Sequence, residues 1–390
     1  MKNSDKKSYV VLVGANFVNK GAEAMLWAAV EGLQRHFPTY EVVLLDLFPT
    51  LNREERRGMP LRIVNMHVRS LFRINFPILK LLFKPKPISD SEGDILALFD
   101  DASGLMDLSG YGLSAHNQAL LWSIAWLLPL RMAKQRKVPA WLLPQSLGPF
   151  NFSGLKKLLF RFFALPLLQY PEVVFAREPS GYAAVAPLRS KPTFLSPDMV
   201  LLTAAQDGLP DEGDAQAEVL VIPNQQLFRL LPAEEVLGLY TAQIKFALEA
   251  GYTVRVLRHS ADDAYFCLQL ARSLAHPALQ IDEHLAGLRD LRRAISSCRF
   301  VVTGRYHGAV HALKASKPVL IIGWAEKYRH LAHLFGIENY LVDLSGGFLP
   351  AQTHTLLPQL IQEEQKLKHQ LGQRVREMEA DTLWSHIDLP

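Results

Sequence analysis

The run GRYHGAVH, residues 304–311, sets Arg305 and His307 two positions apart, where the apolar stretch CRFVV gives way to helical spacing. If a helix starts there, its first backbone amides lack internal partners and form the positive end of the helix dipole. α/β proteins hold phosphates and carboxylates at such places. An arginine at that turn points to an anion, and a histidine beside it points to proton transfer. The other reading of Arg305 is a salt bridge with a carboxylate of a neighbouring strand. His311 stands four residues beyond His307, a spacing used by zinc sites. H-G-A-V-H lacks the glutamate of H-E-x-x-H and has no evident third ligand, so a packing histidine is expected and no metal.

A similar turn opens the chain. VLVGANFVNKGAEAM places Asn16, Asn19, Lys20 and Gly21 between an apolar run and a segment with one apolar face. These residues either approach an anion or cap an ordinary helix, and spacing alone leaves both readings open. Arg177, in VVFAREPSG, is a second arginine at a strand end, and its neighbour Glu178 makes a local ion pair the simpler reading. Asp107 lies among Leu105, Met106 and Leu108, where an ionised carboxylate is costly unless it is hydrogen-bonded, so structural and catalytic roles are both open. Asp100 and Asp101 precede it. WAEKYRH (324–330) brings Glu326, Lys327 and Arg329 after another apolar run.

These residues need a frame. The chain has 390 residues, 49% of them hydrophobic and 21% charged, enough for two cores. The polar start MKNSDKKS has no signal-peptide core, and the two isolated cysteines, Cys267 and Cys298, form neither a disulfide framework nor a metal cluster. A reduced, cytoplasmic protein is expected. A net charge of +4 without basic–aromatic interleaving argues against nucleic acid. NQALLWSIAWLLPL (117–130) is too short to span a bilayer and reads as a buried helix. Two segments, VRSLFRINFPILKLLFKPKP (68–87) and GLKKLLFRFFALPLL (154–168), are both basic and apolar. They fit either packed helices with snorkelling lysines or peripheral contact with the inner face of a membrane.

YVVLVG (9–14), a helix from about Gly21, and EVVLLDL (41–47) make a βαβ unit and hence a parallel sheet. ILALFDDASGLMDLSGYGLS (95–114) reads as a strand and a loop. Strands are expected at 139–150 and 173–181, with a helix over 153–169. The polar run 204–218 is the best linker, after which the strand-helix pattern restarts at EVLVIPNQQ. The expectation is two Rossmann-like α/β domains, 1–205 and 218–390, with parallel sheets facing across a cleft. The last helix would pack back on the first domain.

Taken together, NFVNKGAEAML, MDLSGYGLS, LPQSLGPF, FAREPSG, SPDMVLL and GRYHGAVHALKASKPVLIIGW, with Lys327 after it, resemble the polysaccharide pyruvyl transferase family in order and spacing. Two departures are SGYG in place of a run of glycines and Tyr306 between the arginine and the histidine. The resemblance implies a GT-B-like fold. It also implies phosphoenolpyruvate as co-substrate, with no cofactor, and transfer of its pyruvyl group to hydroxyls of a surface polysaccharide or a lipid-linked precursor. It makes Arg177, Arg305, Asn16, Asn19, Lys20 and Lys327 substrate-binding, His307 the general acid and Asp107 the general base, with Asp101 as the second choice for the base. The first domain would then face the acceptor and the second phosphoenolpyruvate. The competing readings are a nucleotide-sugar glycosyltransferase of the same plan and a non-catalytic binder of anionic sugars.

Overall fold

The structure is a computed structural model that describes residues 8–84, 86–115, 120–203, 217–282, 284–285, 287–347, 353–378 and 383–390. Two compact units result. One gathers the residues up to Val18, Ala22–Met199 and the last residues of the chain. The other gathers Asn19–Gly21 and the residues from Val200 to 378. Most of the expected linker, 204–216, lies outside the described residues.

The first unit holds seven parallel strands: β1 (Tyr9–Val13), β2 (Glu41–Asp46), β3 (Arg62–Asn65), β4 (Gly104–Asp107), β5 (Ala140–Gln145), β6 (Val173–Ala176) and β7 (Thr193–Leu195), in the order β3-β2-β1-β4-β5-β6-β7. β1, β4, β5 and β6 are buried at every position. Helices cover both faces of such a sheet, so its strands read as continuous apolar runs rather than alternations. The second unit repeats the plan with β8 (Glu218–Ile222), β9 (Thr253–Val256), β10 (Leu279–Ile281), β11 (Phe300–Thr303), β12 (Val319–Gly323) and β13 (Leu341–Asp343), ordered β10-β9-β8-β11-β12-β13. In each sheet the order reverses beside the first strand, between β1 and β4 and between β8 and β11. Doubly wound folds bind ligands outside the carboxyl ends of the strands at such a reversal.

Two expectations change. ILALF is not a strand but part of the helix Glu92–Asp101: Ser91 accepts from the Asp94 N–H at 3.1 Å, and Ile95, Leu98 and Phe99 form its buried stripe. The strand is the four residues GLMD that follow. Asp101 therefore sits at the amino end of β4, away from the reversal, and is no longer a candidate base. The last long helix, Glu364–Met378, belongs to the second unit, where Arg299 holds Glu364 at 2.7 Å and Gln370 donates to Phe335 O at 2.7 Å. It is the residues after it that count with the first unit. There Trp384 lies against Gly32, and His386 stacks on Phe194 at 4.0 Å between ring centres.

Candidate functional site

On the first unit, the carboxyl ends of β1 and β4 run in contact. Gly14 has φ +90°, and a Cβ there would fall 2.4 Å from Ser109 Oγ and 2.6 Å from Ser109 N. Both the backbone angle and the space require glycine. Gly14→Ala is expected to lower unfolding free energy by about 2 kcal/mol or more, from φ strain and the displaced Ser109 backbone together, as read by urea denaturation. Asn16 turns its own loop, accepting from Val18 N–H at 3.1 Å.

Asp107 ends β4. It is 1% exposed, and its Oδ1 accepts the Ser109 N–H at 2.7 Å. Burial pushes its carboxyl up to about 6, against the pull of its hydrogen bonds from Ser109. Such a carboxylate is ionised at neutral pH and basic enough to take a proton. The folded-state value lies above the unfolded 3.8, so the stability this group contributes is full below about pH 4 and is lost as pH rises through about 6. Asp107→Asn keeps an acceptor for Ser109. Its expected gain over the natural protein is about 2 to 3 kcal/mol at pH 8 and nothing at pH 4, measured by denaturation at the two pH values.

In place of the expected anion ligand, Arg177 is a buried cross-link, 2% exposed. Its Nη1 donates to Asp198 Oδ2 at 2.8 Å and its Nε to Glu178 Oε1 at 3.1 Å. Its Nη2 donates to Gly110 O at 2.9 Å and Ser146 Oγ at 2.6 Å. These four partners come from SGYG, LPQSLGPF, FAREPSG and SPDMVLL, so four of the first-unit sequence segments meet on one guanidinium. Such a group, satisfied by two carboxylates in the interior, fixes the loop after β4 rather than reaching a ligand.

On the second unit, β11 leaves the sheet at Gly304. Its carbonyl accepts from Asn224 Nδ2 at 2.8 Å and from Tyr328 Oη at 2.9 Å. The next residue, Arg305, is the N-cap of the helix Tyr306–Lys314, but its side chain makes no cap bond, so the first amides of that helix have no side-chain cap from it. The alternative reading of Arg305 is realised in a different place: its carboxylates come from the loop after β9, two strands away. Nε donates to Asp263 Oδ2 at 2.9 Å and Nη2 to Asp262 Oδ1 at 3.0 Å, with a further contact from Nη2 to Asp263 Oδ1. Burial disfavours ionising Asp262, yet bonds from Ser260 and Gln226 and the charge of Arg305 hold it down at about 2. Asp262 is ionised, and with Asp263 it orients the guanidinium by one edge.

His307 stands in the first turn of that helix, half-buried, edge-on to Tyr306 with ring centres 5.3 Å apart. Tyr306, the residue that departs from the family pattern, is buried and packs edge-on against Tyr328. Above these rings lies the Lys327 ammonium, 5.1 Å from the centre of Tyr306, 5.6 Å from Tyr328 and 5.9 Å from Trp324. An aromatic platform of this kind holds a cation in place. Asn19, Lys20 and Gly21 cluster with this unit, and Asn19 Oδ1 accepts the Gly21 N–H at 2.9 Å. A Cβ on Gly21 would fall 2.1 Å from His307 Nδ1. His311 is buried, as a packing histidine should be.

Two groups in this region were not singled out in the sequence. Asp263 is fully buried and accepts from Gln225 N–H at 3.0 Å and Ser260 N–H at 3.1 Å as well as from Arg305. His259 is 2% exposed, and neither ring nitrogen has a hydrogen-bond partner among the described residues. Burial first, then the charges of Arg305, His307 and Lys20, push it well below the ordinary histidine range, so it is neutral. The available signal was the polar run RHSADD directly after an apolar strand.

Solved structures share this fold. A UDP-N-acetylglucosamine 2-epimerase aligns with TM-score 0.58 at 12% identity, covering 99% of this chain and 98% of its own. The spinosyn rhamnosyltransferase SpnG aligns with TM-score 0.54 at 13% identity, covering 95% and 96%. A mutant O-GlcNAc transferase of Thermobaculum terrenum aligns with TM-score 0.53 at 14% identity; 98% of this chain is covered but only 65% of that one. At such identities the likeness is one of fold: two doubly wound α/β units of the GT-B kind. No curated protein matches the sequence. The sequence model of one family, described as polysaccharide pyruvyl transferase, matches residues 19–326. That span takes in Asp107, Arg177 and the whole of the Arg305–His307 turn, and the chain belongs to the polysaccharide pyruvyl transferase family.

Proposed function

We propose that this chain moves the pyruvyl group of phosphoenolpyruvate onto two hydroxyls of a saccharide, in a cell-surface polysaccharide or its precursor, forming a ketal and releasing inorganic phosphate. The observation that carries the reading is the start of the helix Tyr306–Lys314, where Arg305, His307 and the platform-held Lys327 stand together at the positive end of the helix dipole. Phosphoenolpyruvate bears a phosphate and a carboxylate, the anions such a site receives. Among the described residues, the side-chain bonds of Arg305 use Nε and Nη2. Nη1 is the edge for the ligand, and Asp262 and Asp263 hold it in place.

His307 gives a proton to the methylene carbon while one sugar hydroxyl bonds to the adjacent carbon and loses its proton. A base accepts that proton, which balances the one His307 gives. The second hydroxyl oxygen then displaces phosphate by carbon–oxygen cleavage, its proton leaving with the phosphate. Charge on the leaving group is met by the helix start, Arg305 and the lysines Lys20 and Lys327. Asn16 and Asn19 order the loop that precedes Lys20. Arg177 positions the loop after β4.

The test is phosphate release from phosphoenolpyruvate with a panel of lipid-linked and nucleotide-linked sugars, beside melting curves with each ligand. Acceptor-dependent release, with stabilisation of roughly 2.7 kcal/mol at a hundredfold excess of phosphoenolpyruvate over its Kd, is the expected result. No release, together with stabilisation by a nucleotide sugar, would move the protein to the glycosyltransferase reading.

A further inference from the structure

The first unit exposes an apolar surface that its fold does not use. In the helical run 154–168, Ala164, Leu167 and Leu168 are buried in the core, and Phe160 and Phe163 pack against it. The opposite face of such a run is normally polar. Here it carries Leu155, Leu158 and Phe162, spaced three and four residues apart and all exposed, flanked by exposed Lys156, Lys157 and Arg161. Beside it lies the turn Pro77–Leu81. Phe76 and Phe163 meet at 6.4 Å between ring centres. Arg131 and Lys134, on the helix Leu120–Arg136, bond to Asn75 O and to Pro166 O. That turn presents Ile78, Leu81 and Leu82. These three, with Leu155 and Phe162, are each at least 70% exposed. Neither 61–89 nor 149–171 contains an acidic residue; Glu92 folds back to pair with Arg73 at 2.6 Å and Lys80 at 2.9 Å, while no ion pair is found for Lys84, Lys156, Lys157 or Arg161 among the described residues. No described helix is long and apolar enough to cross a membrane.

We propose that the paired segments 77–82 and 154–162 form a docking surface for an anionic lipid bilayer, with the apolar tips entering the headgroup boundary and Lys84, Lys156, Lys157 and Arg161 meeting the phosphates. Clustered large aliphatic and aromatic tips ringed by cations match that interface on both counts, hydrophobic and electrostatic. A second copy of the chain would match the apolar tips and oppose the charges. The proposal does not rest on pyruvyl transfer, since vesicle binding needs neither phosphoenolpyruvate nor acceptor.

Co-sedimentation of the full chain with vesicles tests it, using phosphatidylcholine alone and an equal mixture with phosphatidylglycerol. The expected result is binding to the mixed vesicles, at least tenfold weaker to the neutral ones. Two variants, Leu81→Glu with Phe162→Glu and Lys156→Gln with Lys157→Gln and Arg161→Gln, should each weaken it at least tenfold with unchanged melting. If the first variant fails to fold, the second decides. Absence of the natural protein from the vesicle pellet would overturn the proposal, as would undiminished binding by the second variant. A dimer that the Leu81→Glu, Phe162→Glu variant disperses, without vesicle binding, would assign the surface to a second copy.

Discussion

Arg177→Met is expected to destabilise the protein by about 3 to 5 kcal/mol, a large share of the roughly 5 to 15 kcal/mol that holds a domain folded. Methionine keeps an unbranched apolar stem, so the loss is chiefly that of the guanidinium. It comes from leaving Asp198 and Glu178, 1% and 4% exposed, without the guanidinium that satisfies them, and from freeing Gly110 and Ser146 in the loop after β4. Arg177→Lys should recover little, because an ammonium cannot reproduce four bonds in a planar fork. Adding Asp198→Asn to Arg177→Met should return part of the loss, since the buried charge goes with its partner, and that non-additivity marks a direct coupling. Denaturant titration of the three variants decides it. A full-stability Arg177→Met protein that no longer binds phosphoenolpyruvate would make Arg177 a ligand residue after all.

That arginine also marks how far the sequence could be read. Doubly wound units were legible because β1, β8 and β11 are short apolar runs, β1 and β11 followed by glycine-containing turns, and a parallel sheet buries such strands on both faces. Short edge strands such as β3, β7, β10 and β13 were not, since three or four half-buried residues produce no periodicity. ILALF looked like a strand because five apolar residues fit either period, and only Ser91 as a cap with Glu92 and Asp94 behind it decides for a helix. At the site, the turn holding Arg305 and His307 follows from local spacing. The partners Asp262 and Asp263 do not, because they lie more than 40 residues away and arrive through the strand order β9-β8-β11. Arg177 at a strand end read as a simple pair with its neighbour; the network tying it to Gly110 and Ser146 needed the sheet.

His307→Ala is expected to lower the turnover of acceptor-dependent phosphate release by about a hundredfold to ten-thousandfold, the range for loss of a positioned general acid. Binding of phosphoenolpyruvate should persist, because Arg305 keeps its aspartates and Lys327 its aromatic platform. Loss of turnover with binding retained distinguishes an interaction made in the transition state from one made with the bound substrate. The step has a direct signature: in deuterium oxide the natural protein should place one solvent deuterium in the methyl group of each ketal formed. A second variant checks the position of the ring without removing it. Gly21→Ala puts a methyl group where the imidazole now stands, 2.1 Å from Nδ1, so the ring must rotate away and turnover should fall in the same direction while donor binding holds. Undiminished turnover in His307→Ala would remove the histidine from the chemistry and assign proton delivery to another group, whereas no turnover in the natural protein, with phosphoenolpyruvate still bound, would leave the helix start as a binding site alone.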